Sequence, residues 1–203
     1  LLKKKPKGEV KILYFGRITE KKGLDKFITA IKKNDKNFLL NIVGPANTKE
    51  DKEYLLKLKK LTQKFNLNKK IIFSNPVSQN EKKSDIINSS DFFLLPSMAE
   101  GDSVALKESV LHGLPLLITK NCKFEVEYNN KIFGYYLKDD FSNANKVIET
   151  IINMGEINHF SMRLNAIKFS EKFKINQKKI SELFELYENI TRSKNNKNIN
   201  RVS

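Results

Sequence analysis

Cysteine and histidine are scarce in this chain, which has one cysteine, Cys122, and two histidines, His112 and His159, in 203 residues. A single thiol cannot form a disulfide within the chain, and zinc sites usually take several Cys or His ligands. These counts argue against a disulfide scaffold and against a structural zinc site. We therefore expect a reducing, cytoplasmic setting.

Long apolar runs are also missing, since no stretch approaches the roughly 18 apolar residues of a membrane span. The longest ones, such as Phe92 to Pro96 and Leu114 to Thr119, have the length of buried strands. The first residue is Leu1 and no secretory signal pattern follows it, which predicts that the sequence begins inside a longer protein. A composition of 39% apolar and 30% charged residues fits one main globular domain.

Acidic residues are few relative to basic ones, 23 against 38, so the formal net charge is +15. An excess of this size attracts phosphate, anionic lipid or nucleic acid without choosing among them. The alternative is a merely solvated surface, because the composition is rich in Lys, Asn and Ile as a whole. Charge alone therefore leaves the partner open.

Apolar β-prone runs alternate with amphipathic stretches. Six runs are predicted as strands: Val10–Phe15, Phe38–Val43, Lys70–Phe73, Asp91–Leu95, Pro115–Thr119 and Phe133–Leu137. Five stretches with helical spacing are predicted as helices: Leu24–Lys33, Glu53–Phe65, Asn80–Asn88, Val104–His112 and Asn143–Met154. Alternation of this kind predicts right-handed βαβ units. The predicted fold class is α/β, a doubly wound parallel sheet of about six strands.

The region after Glu156 changes character, with two helical patterns, Phe160–Phe173 and Ile175–Thr191, and no further strand. Residues 192–203 are rich in Asn and basic residues and nearly lack apolar ones, which predicts disorder. We thus predict an entering linker at 1–8, one domain with terminal helices at 9–191, and a disordered basic tail at 192–203.

The first predicted strand ends in a glycine and a cluster of basic residues. Gly16 and Arg17 follow the strand, and Lys22 and Gly23 precede the next helix. In open α/β sheets ligands bind at the carboxyl ends of the strands, where loops and helix N-termini offer N–H groups to phosphate. Gly16 lets the backbone approach a ligand closely, and Arg17 and Lys22 can converge on a diphosphate. The alternative is a turn glycine beside two solvated cations.

Two glutamates follow the fourth predicted strand. Glu100 lies in the loop after Pro96-Ser97, and Glu108 lies in the next predicted helix. Both carboxylates can face one crevice and accept hydrogen bonds from ligand hydroxyls. The alternative is a loop carboxylate at a helix N-terminus and a surface glutamate.

Several short motifs occur in one order: Gly16-Arg17, Lys22-Gly23, Val43-Gly44-Pro45, Pro96-Ser97, Glu100-Gly101, Glu108 and Gly113-Leu114-Pro115. Together they resemble the donor half of GT-B glycosyltransferases of family 4, in which a Glu, seven residues, Glu signature follows a Pro-Ser at a strand end. The resemblance covers about Lys11 to Glu127 densely and the helical tail more loosely. It implies a Rossmann-like C-terminal domain that binds a nucleotide-diphosphate sugar.

The resemblance also implies roles for residues. Transfer would retain the anomeric configuration, in the synthesis of a cell-surface glycan. Glu108 would accept the ribose hydroxyls and Glu100 would contact the sugar. Arg17 and Lys22 would neutralise the diphosphate leaving group.

Backbone groups complete the implied site. Gly16 and the helix start at Asp102, Ser103 and Val104 would lie near the sugar or phosphate, and the segment ending at Val77 would line the base. No metal is expected, because Arg17, Lys22 and a helix N-terminus already supply positive charge.

The sequence departs from the family at two points. Asp102 and Ser103 stand where an aromatic residue and a glycine are usual, and Asn75 stands where a glycine usually precedes Pro76. An acidic side chain near a phosphate is unfavourable unless it points away or contacts the sugar. The donor sugar therefore stays open.

Three alternatives remain beside a glycosyltransferase donor domain whose N-terminal acceptor domain is missing. One is a nucleotide-sugar epimerase of the same architecture. Another is a basic nucleic-acid-binding module, which we do not expect because the aromatic residues lie mostly in core-like strands. The third is peripheral contact with an anionic membrane through lysine clusters such as Lys57 to Lys70, which is compatible with transfer of a sugar to a lipid.

Overall fold

The computed structural model describes residues 9–77 and 80–173, without the side chains of Asn80 and Glu81. One compact unit ends at Ser170, and a second begins at Glu171 with a 3-10 turn, Glu171–Phe173. The predicted linker at 1–8, the predicted helix Ile175–Thr191 and the predicted tail at 192–203 lie outside the described residues.

A six-stranded parallel sheet forms the centre of the first unit, in the order β3-β2-β1-β4-β5-β8. Its strands are β1 (Val10–Phe15), β2 (Phe38–Val43), β3 (Ile71–Ser74), β4 (Phe92–Leu95), β5 (Leu116–Thr119) and β8 (Gly134–Leu137), while β6 (Glu127–Tyr128) and β7 (Lys131–Ile132) form a separate hairpin. The predicted fold class is confirmed. Each predicted sheet strand is present within one residue or so of its expected bounds.

The central strands are buried on both faces, which is why their sequences are continuously apolar. Every residue of β4 (FFLL) and β5 (LLIT) is buried, including Phe92 and Phe93. A parallel sheet covered by helices on both sides needs such runs, because neither face meets water. Burial of each large apolar side chain contributes about 1.5–3 kcal/mol before the entropy cost.

Six helices surround the sheet in the described residues: α1 (Leu24–Ala30), α2 (Lys49–Lys64), α3 (Asn80–Asn88), α4 (Val104–Leu111), α5 (Ala144–Ile152) and α6 (Glu156–Ser170). Helix α1 packs against α2 and α5, and α4 packs against α6. The β1–α1–β2 and β4–α4–β5 connections run in opposite directions across the sheet. Right-handed crossovers therefore place α1 and α4 on opposite faces.

Helix α2 begins at Lys49, four residues before the predicted start. A capping box sets this start: the Thr48 side chain accepts from the Asp51 N–H at 3.2 Å, and the Asp51 carboxylate accepts from the Thr48 N–H at 3.3 Å. The cap satisfies N–H groups that a helix start leaves without partners. The apolar pattern begins only at Tyr54 and therefore misses this polar first turn.

The β6–β7 hairpin was not predicted. Its turn residues Asn129 and Asn130 both have positive φ, 46° and 62°, which is the backbone of a two-residue hairpin turn that Asn tolerates. Each strand has only two residues, so no alternating pattern could reveal it.

Helix α6 covers Glu156–Ser170, whereas Phe160–Phe173 was predicted. Two buried side chains attach it to the sheet: His159 Nε2 lies 3.0 Å from the Asp91 carbonyl oxygen, and Arg163 donates to the carbonyl oxygens of Ser90 at 3.2 Å and His112 at 3.3 Å. These polar contacts lie outside the apolar pattern on which the prediction depended.

Candidate functional site

The site lies where β1 and β4 are neighbours in the sheet. The chain leaves β1 toward β2 on one side and leaves β4 toward β5 on the other, so a crevice opens at their carboxyl ends. Ligands of open α/β sheets bind at such a switch point. The two loops touch there, because the Met98 N–H donates to the Lys21 carbonyl oxygen at 2.9 Å.

Two hydrogen bonds fix the turn after β1. The buried Tyr14 hydroxyl donates to the Arg17 carbonyl oxygen at 2.6 Å, and the Gly16 N–H donates to the Val43 carbonyl oxygen at 3.0 Å. A Cβ on Gly44 would lie 1.9 Å from the Gly16 carbonyl oxygen, so the two loops require glycine for this approach. Gly16 and Arg17 therefore sit on a fixed turn.

Gly23 joins the turn that carries Lys22 to α1. It has a φ of 67°, the left-handed conformation that glycine adopts without a steric penalty. A Cβ at this position would lie 2.3 Å from the Pro96 carbonyl oxygen at the end of β4. The Lys22-Gly23 motif thus sets how closely the β1 loop approaches the β4 loop.

Arg17 is anchored at its Nε, which donates to Asp51 Oδ2 at 2.8 Å. The same oxygen accepts from the backbone N–H groups of Asn47 at 3.2 Å and Thr48 at 3.3 Å. Burial raises the pKa of Asp51, but the hydrogen bonds from Arg17 and the backbone outweigh it and hold the pKa below 3.8. Among the described residues Arg17 donates through Nε alone, so its terminal fork, on a side chain that is 49% exposed, stays available for an anion.

Lys22 and Glu100 are brought into direct contact. The Lys22 ammonium donates to Glu100 Oε2, and the Ser97 hydroxyl lies 3.1 Å from the same oxygen. The two charged side chains are 14% and 12% exposed, and Ser97 is fully buried. Two predicted site residues from different loops thus form one polar cluster, with the buried Ser97 hydroxyl beside the carboxylate.

The start of α4 faces the crevice from the β4 side. Ser103 is the N-cap, and its Oγ accepts from the Leu106 N–H at 3.4 Å; Val104, the first helical residue, is exposed. The Asp102 side chain is 72% exposed and pairs with Lys107 at 2.6 Å. The carboxylate that departs from the family pattern is therefore already neutralised by a neighbour on α4.

Glu108 pairs with a residue that was not predicted. Lys83 Nζ on α3 lies 2.5 Å from Glu108 Oε1 and 2.5 Å from Oε2. The same ammonium lies 5.3 Å from the centroid of the Phe15 ring at the end of β1. Glu108 thereby reaches the carboxyl end of β1 through Lys83.

Val77 ends the described part of the loop after β3 and is half-buried. Beside the preceding residues a cavity of about 360 Å³ opens, lined among others by Ile18, Pro45, Phe73 and Pro76. It lies at the carboxyl ends of β1, β2 and β3, next to the Arg17 turn.

The remaining polar candidates have structural settings. His112 caps the end of α4 beside Gly113, and burial lowers its pKa below 6.5. Asp139 and Asp140 are exposed in the turn after β8. Across the described residues, no cluster of three His, Cys, Asp or Glu side chains is arranged to hold a metal ion.

The sequence reasoning missed three residues of this site. Asp51 was detectable, because Thr48 three residues earlier forms the pattern of a capping box. Ser97 was noted as a motif without a role, and its contact with Glu100 depends on the loop path. Lys83 had no signal, because one lysine among 38 basic residues carries no pattern.

Fold and site together define a doubly wound α/β domain with a polar crevice at its switch point, built from cations, carboxylates and a helix N-terminus. The model of the family described as glycosyl transferases group 1 matches residues 3–179. The chain belongs to this family, as the motifs indicated.

Three proteins are similar to this chain in sequence or in structure. Alpha-monoglucosyldiacylglycerol synthase of Streptococcus pneumoniae is 26% identical over 161 residues, covering 76% of this chain and 34% of that protein. The C-terminal domain of LpcC, a glycosyl transferase group 1 family protein of Francisella tularensis, superposes with a TM-score of 0.70 at 22% identity, covering 83% of this chain and 88% of that one. HepE of Anabaena, solved with UDP and glucose, has a TM-score of 0.70 at 17% identity, covering 87% and 48%.

The chain therefore spans about a third of the curated relative it matches. The structural likenesses, each below 25% identity, establish the GT-B type of α/β fold. No helix among the described residues is long and apolar enough to cross a bilayer.

Proposed function

We propose that this chain binds the nucleotide-diphosphate sugar of a retaining glycosyltransferase. The observation that carries the proposal is the cluster at the switch point, where Lys22 and Glu100 meet beside the anchored Arg17. The HepE structure contains UDP and glucose, which are the parts of such a donor. An acceptor domain outside these residues would complete the enzyme, since the HepE chain is about twice as long.

Each charged side chain has a separate task in this proposal. Arg17 and Lys22 bind the diphosphate and stabilise the charge that develops on it as the glycosidic bond breaks. Glu100 accepts hydrogen bonds from sugar hydroxyls, and Glu108 accepts them from the ribose. These contacts require an exchange of partners, because both glutamates pair with lysines in the structure.

The backbone adds further contacts in the proposal. Gly16 and the N-terminus of α4 at Asp102, Ser103 and Val104 approach the phosphates or the sugar, because the first N–H groups of a helix have no partner within it. Val77 and its loop line the base, next to the cavity beside Pro76. With two basic side chains and a helix N-terminus, the diphosphate needs no metal.

Binding and turnover are tested separately. Calorimetric titration with UDP, ADP and GDP and their sugars should show tight binding of one series. Arg17→Ala and Lys22→Ala should each weaken it by about 1.5–3 kcal/mol, because charge-assisted hydrogen bonds are lost. Lys26→Ala, which removes an exposed lysine on α1, is the control. Unchanged affinity in both site variants would refute the assignment. Turnover is measured on a protein that also carries the acceptor domain, where a glycosylated product rather than an isomerised sugar nucleotide excludes the epimerase alternative.

A second proposal concerns the basic outer face of α2, which we assign to peripheral contact with the cytoplasmic face of an anionic membrane. Its exposed lysines are Lys49, Lys52, Lys57, Lys59, Lys60 and Lys64. Leu56, 57% exposed, lies among them, and Lys57 is paired with Asp25 at 2.7 Å. The matched Streptococcus synthase is named for a diacylglycerol lipid, and lysines near an anionic bilayer contribute about 1 kcal/mol each.

Vesicle sedimentation tests the α2 face. Vesicles with anionic lipid should retain the chain and purely zwitterionic vesicles should not, and Lys60→Glu with Lys64→Glu should release it. Lys32→Glu with Lys33→Glu, exposed lysines at the end of α1, is the control pair. Stronger retention by a DNA duplex than by anionic vesicles would favour the nucleic-acid alternative instead.

A further inference from the structure

Lys83 occupies the carboxylate that the proposed function needs for the ribose. Its Nζ is 2.5 Å from each of the two oxygens of Glu108, so it contacts both of them equally. Lys83 is on α3 and Glu108 is on the second turn of α4, so the contact joins two helices. Both side chains are partly buried, 23% and 32% exposed.

A ribose would approach the same place. Two neighbouring hydroxyls that donate one hydrogen bond to each carboxylate oxygen approach from the side that both oxygens share. An ammonium group in contact with both oxygens already occupies that side. The lysine and the two hydroxyls therefore compete for one side of Glu108.

We propose that Lys83 is a specificity-determining residue of the ribose subsite, an internal competitor that a nucleotide displaces from Glu108. This inference rests on the proposed binding of a nucleotide donor. Its consequence is that the gain in affinity from the ribose hydroxyls is reduced by the loss of the Lys83–Glu108 pair. A ligand without these hydroxyls leaves the pair intact and loses nothing by it.

The structure also offers the displaced ammonium a second partner. The Phe15 ring centroid is 5.3 Å from Lys83 Nζ, within the distance at which an aromatic face attracts a cation. Lys83 therefore need not swing into solvent when the carboxylate changes partner. The ring belongs to the last residue of β1, directly before Gly16.

The test compares ribonucleotides with their 2′,3′-dideoxy analogues, because both carry the same phosphates. UDP, ADP and GDP are each titrated beside the dideoxy form. The dissociation constant of the dideoxy form divided by that of the ribonucleotide measures the ribose contribution. In Lys83→Met this ratio should rise about threefold or more, as expected when a partly exposed ion pair no longer has to be broken. Met keeps an unbranched apolar side chain near Phe15. Lys83→Gln replaces it if Lys83→Met lowers the temperature of thermal unfolding.

Two further variants separate this competition from other effects. Lys82→Met removes the same charge from the exposed neighbouring position of α3 and should leave the ratio unchanged. Lys83→Arg keeps a cation that pairs with both oxygens, so its ratio should stay at or below that of the unsubstituted chain.

The outcomes are distinct. An unchanged or smaller ratio in Lys83→Met would overturn the competition and identify Lys83 as a support that holds Glu108. An equal rise in Lys82→Met, or a rise in Lys83→Arg, would also overturn it. A chain that binds none of the nucleotides refutes the proposed function itself, and the inference fails with it.

Discussion

Replacing Asp51 tests whether the anchor of Arg17 serves both the fold and the site. Asp51 Oδ2 accepts from Arg17 Nε at 2.8 Å and from the N–H groups of Asn47 and Thr48. In Asp51→Ala all three donors lose this acceptor. Because Asn47 and Thr48 are exposed, water can replace their bonds, and the loss of these hydrogen bonds should cost about 0.5–1.5 kcal/mol. The half-exposed ion pair adds at most about 1 kcal/mol, for a total of about 0.5–2.5 kcal/mol.

The same substitution should weaken nucleotide binding about two- to tenfold. Without Asp51, the ligand must order the Arg17 side chain itself, at about 0.5–1.5 kcal/mol for one long side chain. Release of Arg17 from a competing charge would act in the opposite direction. That effect should be smaller, because Asp51 engages Nε and leaves the terminal nitrogens to the ligand.

Urea unfolding and calorimetric titration with the preferred nucleoside diphosphate measure the two effects. Asp85→Ala, an exposed aspartate on α3, is the matched control and should change neither. Tighter nucleotide binding in Asp51→Ala, with stability reduced as expected, would refute the anchoring and show that Asp51 competes with the ligand. Unchanged stability would refute the role of the cap.

Three other changes have expected outcomes. Titration with both ligands should show that Glu108→Ala weakens the binding of nucleotide and nucleotide sugar alike, whereas Glu100→Ala weakens the binding of the nucleotide sugar alone. Equal losses of affinity for both ligands in Glu100→Ala would contradict the separate roles of the two glutamates. Gly23→Ala should lower the free energy of unfolding by more than about 2 kcal/mol in urea, because a left-handed backbone is combined with a Cβ 2.3 Å from the Pro96 carbonyl oxygen. The pKa of Asp51 is lowered in the folded state, so the stabilisation that its carboxylate provides should be complete above about pH 5 and be lost as the pH falls below 4. The free energy of unfolding, measured in urea, should therefore fall less steeply with acid in Asp51→Ala than in the unsubstituted chain.

The fold was predictable because its strands have almost no alternative. Runs such as Phe92–Leu95 and Leu116–Thr119 are too short and too apolar for exposed helices, and a parallel sheet is the structure that buries them on both sides. Polar elements were harder, since they depend on single contacts. The start of α2 follows from the Thr48–Asp51 cap, and the β6–β7 hairpin follows from the left-handed Asn129 and Asn130.

The sequence predicted which loops form the site but not which of their charged side chains form ion pairs. The ends of β1 and β4 meet because of strand order, so Arg17, Lys22 and Glu100 belong to one region whatever their rotamers. Which carboxylate each cation contacts depends on helix positions that no short motif encodes. Lys83 illustrates the limit, because α3 must lie across from α4 before its ammonium can reach Glu108.

The cations of the crevice have carboxylate partners, although the chain as a whole has a net charge of +15. Arg17 pairs with Asp51, Lys22 with Glu100 and Lys83 with Glu108, so each cation at the switch point has a carboxylate beside it. The outer face of α2 instead carries six exposed lysines, of which Lys57 pairs with Asp25. Because salt screens exposed charges more than partly buried ones such as Lys22 and Glu100, ionic strength should weaken anionic-vesicle binding far more than nucleotide binding. The two proposed functions of the chain, donor binding and membrane contact, therefore depend on different sets of basic residues.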